Sequence, residues 1–143
     1  MLRFVDSNVF LHSFLIPHRE LTEEERRVKE EAKAIVRSLE EGDEVATTTV
    51  HLSEVINITE TGLGLQRSLG FLAWVLTTET IRVYPVSAED YEKAMPLAKE
   101  ASIGANDALA YLCMKHHEIR EIYSFDRHYD QFKDITRVTR SSV

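Results

Sequence analysis

The 143-residue sequence has little of what builds a disulfide scaffold, a low-complexity chain or a membrane span. Its single cysteine, Cys113, has no intramolecular partner for a disulfide or a Cys-x-x-Cys site, so we expect a reducing, cytoplasmic environment. Three prolines and five glycines exclude collagen-like and low-complexity classes. The apolar runs are far shorter than the roughly 18 residues of a membrane span, and no signal peptide or membrane attachment is expected.

Basic residues are also in the minority, since 17 Lys and Arg stand against 24 Asp and Glu, a formal charge of −7. A broad cationic surface for nucleic acid is therefore excluded, because phosphate neutralisation supplies the sequence-independent part of such binding. Residues 20–44 carry ten acids and five bases, which predicts a solvated helix face or one that receives a partner helix. The length and the 43% apolar content predict one globular domain spanning residues 1–143.

Short apolar strands alternate with amphipathic helices along the chain. The sequence predicts strands at residues 2–5, 45–49, 80–86 and 122–125, and a fifth around Val138. A capping box at Thr22 opens the helix that follows the first helical segment, and Ser87 caps a later one. Because parallel strands need crossover connections, which are usually helical, we expect an α/β fold of three layers, α/β/α, around a mainly parallel sheet of about five strands.

Acidic residues follow two predicted strands and lie near the start of two predicted helices. Asp6 follows the first strand and Asp126 the fourth, whereas Glu54 and Asp107 lie off the apolar stripes of their helices. Ligands of open α/β sheets bind beyond the carboxyl ends of the strands. If the four acids meet there, each pair about 4 Å apart repels by ~4 kcal/mol at an effective dielectric of 20, so a cation must hold them. Oxygen ligands favour Mg²⁺ or Mn²⁺, which indicates phosphodiester hydrolysis.

Other roles are open to the same residues. Asp6 and Asp107 could cap helices, and Glu54 could be a solvated residue that favours the N-terminal end of the helix dipole. The six histidines do not form a zinc pattern. His116 and its neighbour end a helix, where imidazoles complement the negative end of the dipole, and no His-Glu-x-x-His motif is present.

Four segments occur in the order of the motifs of a known family. They are residues 4–10 (FVDSNVF), 53–55 (SEV), 104–110 (GANDALA) and 123–132 (YSFDRHYDQF). Together they resemble the ordered motifs of PIN-domain nucleases, and the length is similar to that of VapC-type toxins. The resemblance covers nearly the whole chain.

The resemblance implies which residues form the site. It assigns catalysis and the binding of Mg²⁺ or Mn²⁺ to an acidic quartet of Asp6, Glu54, Asp107 and Asp126. Asp130 follows Asp126 by four residues and, on a helix, would share its face, so it is an additional or alternative ligand. Supporting residues are Ser7, Asn8 and Ser124, which stands where the family has a threonine. Arg127, Lys133 and Arg137 are the candidates for contacts with the RNA backbone.

The implied function is a Mg²⁺- or Mn²⁺-dependent endoribonuclease, the toxin of a type II toxin–antitoxin pair, with an antitoxin partner and a homodimeric assembly. Two alternatives remain open: a housekeeping RNA-processing PIN nuclease without an antitoxin, and a PIN-like interaction module that does not cleave. The charge of −7 predicts weak non-specific binding of RNA. It does not exclude RNA as the substrate, because metal would partly neutralise the acidic quartet.

Overall fold

Five short strands form the centre of the protein in a computed structural model, which describes residues 1–142. Val143, the last residue of the predicted domain, lies outside the described residues. The strands are β1 (Arg3–Val5), β2 (Val45–Thr48), β3 (Ile81–Tyr84), β4 (Glu121–Tyr123) and β5 (Thr136–Val138). Their order in the sheet is β3-β2-β1-β4-β5, and every neighbouring pair is parallel. The predicted α/β fold is therefore confirmed, with a sheet that is wholly parallel over the described residues.

Helices connect these strands and cover both faces of the sheet. Within residues 1–142 the α-helices are α1 (Ser7–Phe14), α2 (Glu23–Glu40), α3 (Thr49–Leu63), α4 (Leu65–Thr77), α5 (Ala88–Ala101) and α6 (Ala105–His116). Two 3₁₀ helices, Arg127–Gln131 and Arg140–Ser142, follow β4 and β5. The capping box predicted at Thr22 is confirmed, and Ser87 caps α5 in the same way. None of these helices has the length and apolar character needed to cross a membrane.

The alternation of side chains along the strands separates two apolar layers. Val5, Val45 and Tyr123 are buried with residues from α1 to α4 on one face of the sheet. Phe4 and Ile122, the neighbours of Val5 and Tyr123 in the chain, are buried on the other face with residues of α6. The second face continues into α5, whose Ala94 packs with the first turns of α6. These layers give the three-layer α/β/α architecture.

Strand β1 is the middle strand, and its position decides which residues meet. Because β2 and β4 flank β1, the segments that follow these three strands meet at the carboxyl edge of the sheet. Helix α6 leads back to β4, so its first turn lies at the same edge. At this edge the backbone N–H of Asp6 donates to the carbonyl oxygen of Tyr123 at 3.0 Å. The fold thus brings α1, α3, α6 and the segment after β4 together.

Strand β4 ends at Tyr123, two residues earlier than the sequence predicted. The physical reason is a turn, in which the backbone N–H of Asp126 donates to the hydroxyl of Ser124 at 3.0 Å. Such side-chain bonds to the local backbone compete with strand pairing. Ser124 therefore leaves the sheet and turns towards Asp6.

The opposite edge of the sheet is fixed by a half-buried polar network. Arg3 donates through Nε to Glu121 at 2.7 Å and through Nη1 to Asp43 at 3.2 Å. The hydroxyl of Tyr123 donates to Asp43 at 2.7 Å. These bonds join β1 and β4 to the turn before β2. The three strands that precede the site residues are therefore fixed to one another away from the site.

Candidate active site

Asp6 lies directly after β1 and is almost fully buried, with 4% of its surface exposed. Its Oδ1 accepts the backbone N–H of Ser7 at 2.9 Å and so caps α1. Its Oδ2 accepts the hydroxyl of Ser124 at 2.7 Å. The capping role weighed for Asp6 is thus real, and it occupies one carboxylate oxygen while the other points towards β4.

Ser124 joins the acids that follow β1 and β4. Its hydroxyl donates to Asp6 and accepts the backbone N–H of Asp126 and, at 3.4 Å, the side-chain amide of Asn8. A hydroxyl has one proton to donate and two lone pairs, so Ser124 is fully used. Asn8 also accepts the backbone N–H of Phe125 at 3.4 Å. Two of the three predicted supporting residues, Asn8 and Ser124, therefore hold the segment after β4 against α1.

Glu54 is half-buried on α3 and is held from two sides. The hydroxyl of Ser7 donates to its Oε1, and the side-chain amide of Asn106 donates to its Oε2 at 3.2 Å. Helix α3 starts where β2 ends, because Thr48 accepts the backbone N–H groups of Val50 and His51. The contact with Ser7 ties Glu54 to the residue that follows Asp6.

Asp107 and Asp126 approach each other from α6 and from the segment after β4. Asp107 accepts the hydroxyl of the buried Tyr129 at 3.2 Å. Asp126 caps the 3₁₀ helix by accepting the backbone N–H of His128 at 2.9 Å. One carboxylate oxygen of Asp107, one of Asp126 and a ring nitrogen of His128 lie within 4.8 Å of one another.

The acids raise the pKa values of their neighbours. Burial, with the charges of Asp107 and Glu54, raises the pKa of Asp6 to about 7, although the bond from Ser124 opposes the shift. Burial and the charge of Asp126 raise the pKa of Asp107. Burial and these same acids also hold the pKa of Tyr129 far above its ordinary value. The protonated, uncharged forms of these groups are therefore favoured.

The acidic quartet lacks a lysine or arginine partner among the described residues, and its donor atoms suit a small cation. Within residues 1–142 the only basic side chain within 4.0 Å of a carboxylate of the acidic quartet is that of His128, and no lysine or arginine pairs with these acids. Carboxylates whose pKa values are raised by one another are stabilised by a small cation. The donor atoms are oxygens plus one imidazole nitrogen, so they fit Mg²⁺ or Mn²⁺.

Asp130, the additional or alternative ligand that the sequence suggested, pairs with Arg137 and not with the acidic quartet. The segment after Asp126 is a 3₁₀ helix with about three residues per turn, so residues four apart do not share a face as they would on an α-helix. Asp130 is exposed and pairs with Arg137 at 3.0 and 3.2 Å, which lowers its pKa. Arg137 also donates to the carbonyl oxygen of Ser124 at 3.3 Å. Of the other predicted RNA contacts, Arg127 and Lys133 are exposed.

The motif-based assignment missed three residues that contact the quartet. They are Asn106, His128 and Tyr129, and each lies next to or near an acid in the chain. Asn106 and Tyr129 contact acids of other segments, and His128 contacts Asp126 in its own segment as well as Asp107. Such contacts leave no spacing signal in the sequence. The only available signal was position, since all three lie inside the segments that carry the family resemblance.

Comparison with protein-family models matches residues 3–135 to the PIN domain. The chain belongs to the PIN-domain family. Comparison with curated proteins finds no significant match.

Solved structures of a toxin and of toxin–antitoxin complexes have a similar fold. The structure of the VapC20 toxin of Mycobacterium tuberculosis, described as cleaving the sarcin–ricin loop, matches with a TM-score of 0.72 and 20% identity over 94% of this chain and 97% of that one. The VapBC2 structure from Rickettsia felis, bound to a promoter DNA fragment, has a TM-score of 0.65 and 11% identity over 96% and 98%. A toxin–antitoxin complex from Klebsiella pneumoniae has a TM-score of 0.63 and 15% identity over 94% and 95%.

The raised pKa of Asp6 predicts an unusual pH dependence of stability for the metal-free protein. The pKa is about 7 in the folded state and about 3.9 in an unfolded chain, so between these values the folded state binds more protons. The contribution of Asp6 to the free energy of unfolding therefore falls as the pH rises from about 4 to about 7. Asp6→Asn, which keeps a capping oxygen, should match the wild type near pH 4 and exceed it by about 3 kcal/mol at pH 7.5.

Urea unfolding in EDTA across this range measures the difference. Asp130→Asn is the control, because the exposed Asp130 has a lowered pKa and should give no such gain. A constant difference between wild type and Asp6→Asn at all pH values would contradict the prediction.

Proposed function

We propose that this PIN-domain protein is a Mg²⁺- or Mn²⁺-dependent endoribonuclease and the toxin of a type II toxin–antitoxin pair. One observation carries the proposal: Asp6, Glu54, Asp107 and Asp126 lie at one edge of the sheet without a lysine or arginine counter-charge among the described residues. An arrangement of acids that destabilises the metal-free fold points to a function that needs a cation. Membership of the PIN family and the VapC-like fold support this function.

The residues of the chain divide the work of hydrolysis. Asp6, Asp107 and Asp126 would hold a divalent ion, which when bound supplies positive charge to a phosphodiester oxygen and lowers the pKa of water. Glu54, held by Ser7 and Asn106, would accept the proton that the attacking water loses. No side chain is proposed to form a covalent intermediate with phosphorus.

Only a few basic side chains are candidates for contacts with the RNA backbone. Arg127 begins the 3₁₀ helix that follows Asp126, and Lys133 follows that helix in the chain. Both are exposed and are proposed to contact phosphates. Arg137 is already paired with Asp130, so its proposed contact with RNA requires that this pair opens. With a charge of −7 and so few cations at the site, non-specific binding of RNA should be weak.

A groove between α1, α2, α3 and α4 supports the antitoxin part of the proposal. It has a volume of about 400 Å³ and is lined mainly by apolar and aromatic side chains, among them Phe14, Phe71 and Trp74, with Glu40 and Arg67 also in the lining. Phe71 is buried, and Trp74 packs edge-on against Phe14 and bonds Glu40 at 3.3 Å. Because two structural neighbours are toxin–antitoxin complexes or pairs, we propose that this groove receives an apolar segment of an antitoxin.

The homodimer also stays a proposal. Apolar side chains that are at least 40% exposed are concentrated on α3, α4 and α5. Of the eight such large side chains in the described residues, all but Met1 and Ile16 lie there, namely Ile58, Leu65, Leu69, Leu76, Tyr91 and Met95. A second copy of the chain would cover part of this surface.

Cleavage of RNA is the direct test of the nuclease. Purified protein should cleave RNA with Mg²⁺ or Mn²⁺ and lose the activity in EDTA. Asp6→Asn and Asp107→Asn should each reduce the rate at least 100-fold, because each removes a charge that would hold the ion. Gel analysis of end-labelled RNA measures the rate.

Asp130→Asn is the matched control, since Asp130 is an exposed aspartate paired with Arg137. Its rate should stay within about threefold of the wild type, whereas Asp126→Asn should behave like Asp6→Asn. Activity that persists in EDTA and in both site variants would contradict the mechanism. Absence of cleavage together with absence of Mn²⁺ binding would favour a PIN-like module that does not cleave.

Gly70 offers a test of the antitoxin groove, because it lines the groove and a Cβ added there would meet nothing within 4 Å. Gly70→Ala and Gly70→Leu should both stabilise α4 by about 0.5 to 1 kcal/mol, since glycine disfavours helix interiors. Only the leucine fills the groove. If a small adjacent gene encodes an antitoxin, its product should bind Gly70→Leu at least tenfold more weakly than Gly70→Ala, measured by calorimetry.

Equal affinities for the two Gly70 variants would contradict the assignment of the groove. If the adjacent genes encode no DNA-binding antitoxin, the housekeeping nuclease becomes the better account, with the same chemistry at the acids.

A further inference from the structure

His128 places a ring nitrogen against two acids of the quartet. Its Nδ1 is 3.2 Å from Oδ1 of Asp126 and 4.0 Å from Oδ2 of Asp107. The three residues offer one ligand atom each within 4.8 Å of one another. The sequence pattern assigned no role to this histidine.

These distances suit ligands of one ion. Two ligand atoms about 2.1 Å from an octahedral ion are about 3.0 Å apart when adjacent and about 4.2 Å apart when opposite. The distances of 3.2 and 4.0 Å from Nδ1 to the two carboxylates fall within or close to this range. An ion could therefore bind all three residues with little movement of their side chains.

The backbone on either side of the ring is fixed. Asp126 accepts the backbone N–H of His128 at 2.9 Å, which sets the first turn of the 3₁₀ helix. The next residue, Tyr129, is 1% exposed and donates to Asp107 at 3.2 Å. His128 is exposed itself, but its backbone N–H bonds Asp126, and the side chain of the next residue, Tyr129, bonds Asp107.

We propose that His128 is a nitrogen ligand of the divalent ion, together with Asp107 and Asp126, and that it makes the site prefer Mn²⁺ to Mg²⁺. Mg²⁺ is bound mainly by oxygen, whereas imidazole is a better ligand for transition-metal ions, so a nitrogen donor shifts the preference away from Mg²⁺. This inference rests on the proposed function, in which the site binds a divalent ion. The competing role for His128 is a hydrogen bond to Asp126 without metal ligation.

Pulsed electron paramagnetic resonance of the full-length protein with one equivalent of Mn²⁺ distinguishes these roles. The wild type should show coupling of the Mn²⁺ electron spin to a directly bound ¹⁴N nucleus. His128→Gln should lose this coupling and bind Mn²⁺ about tenfold more weakly, while its affinity for Mg²⁺, measured by competition, should change less than threefold. His18→Gln, which removes an exposed histidine outside the site, should match the wild type.

His128→Asp is a second variant that keeps a ligand but replaces nitrogen with oxygen. It should bind both ions and show a lower ratio of Mn²⁺ to Mg²⁺ affinity than the wild type. Mn²⁺ binding without ¹⁴N coupling, or coupling that survives in His128→Gln, would overturn the assignment of His128 and leave the proposed nuclease intact. Absence of Mn²⁺ binding by the wild type would overturn both this assignment and the metal dependence of the proposed function.

Discussion

Burial of the Asp6 carboxylate beside other acids at the carboxyl edge of the sheet is the constraint on which the rest of the site depends. Asp6 is 4% exposed and lies near Glu54 and Asp107, so its ionised form is both poorly solvated and repelled. The neighbouring donors are neutral: a backbone N–H and the hydroxyl of Ser124. They orient the carboxylate without cancelling its charge. The ionised form of Asp6 therefore lowers the stability of the metal-free protein, and in the proposed site a bound cation would remove that cost.

The parallel sheet makes such an arrangement possible because it supplies a rigid frame. Phe4 and Val5, which precede Asp6, are completely buried on opposite faces of β1, so the strand cannot rotate to relieve the repulsion. At the other end of β1, Arg3 joins Asp43 and Glu121. The acids thus lie where several independent elements hold them. Relief by movement would require the loss of core packing around Phe4 and Val5.

The strand and helix pattern of the sequence predicted the fold and brought candidate acids to one edge, because periodicity and parallel crossover rules fix which strand ends can meet. It could not distinguish Asp126 from Asp130. That choice depends on whether the segment after β4 is an α-helix or a 3₁₀ helix, and on the pairing of Asp130 with Arg137. Contacts such as that of Tyr129 with Asp107 join residues 22 apart and have no signature in one sequence.

In the proposed function, the carboxylates at this edge form the binding site of a divalent cation. Anomalous diffraction from crystals of the protein soaked in millimolar Mn²⁺ tests it most directly. We predict a peak about 2.0 to 2.3 Å from carboxylate oxygens of Asp6, Asp107 or Asp126. A map without a peak at this edge, or with Mn²⁺ bound only along the acidic outer face of α2, would contradict the claim.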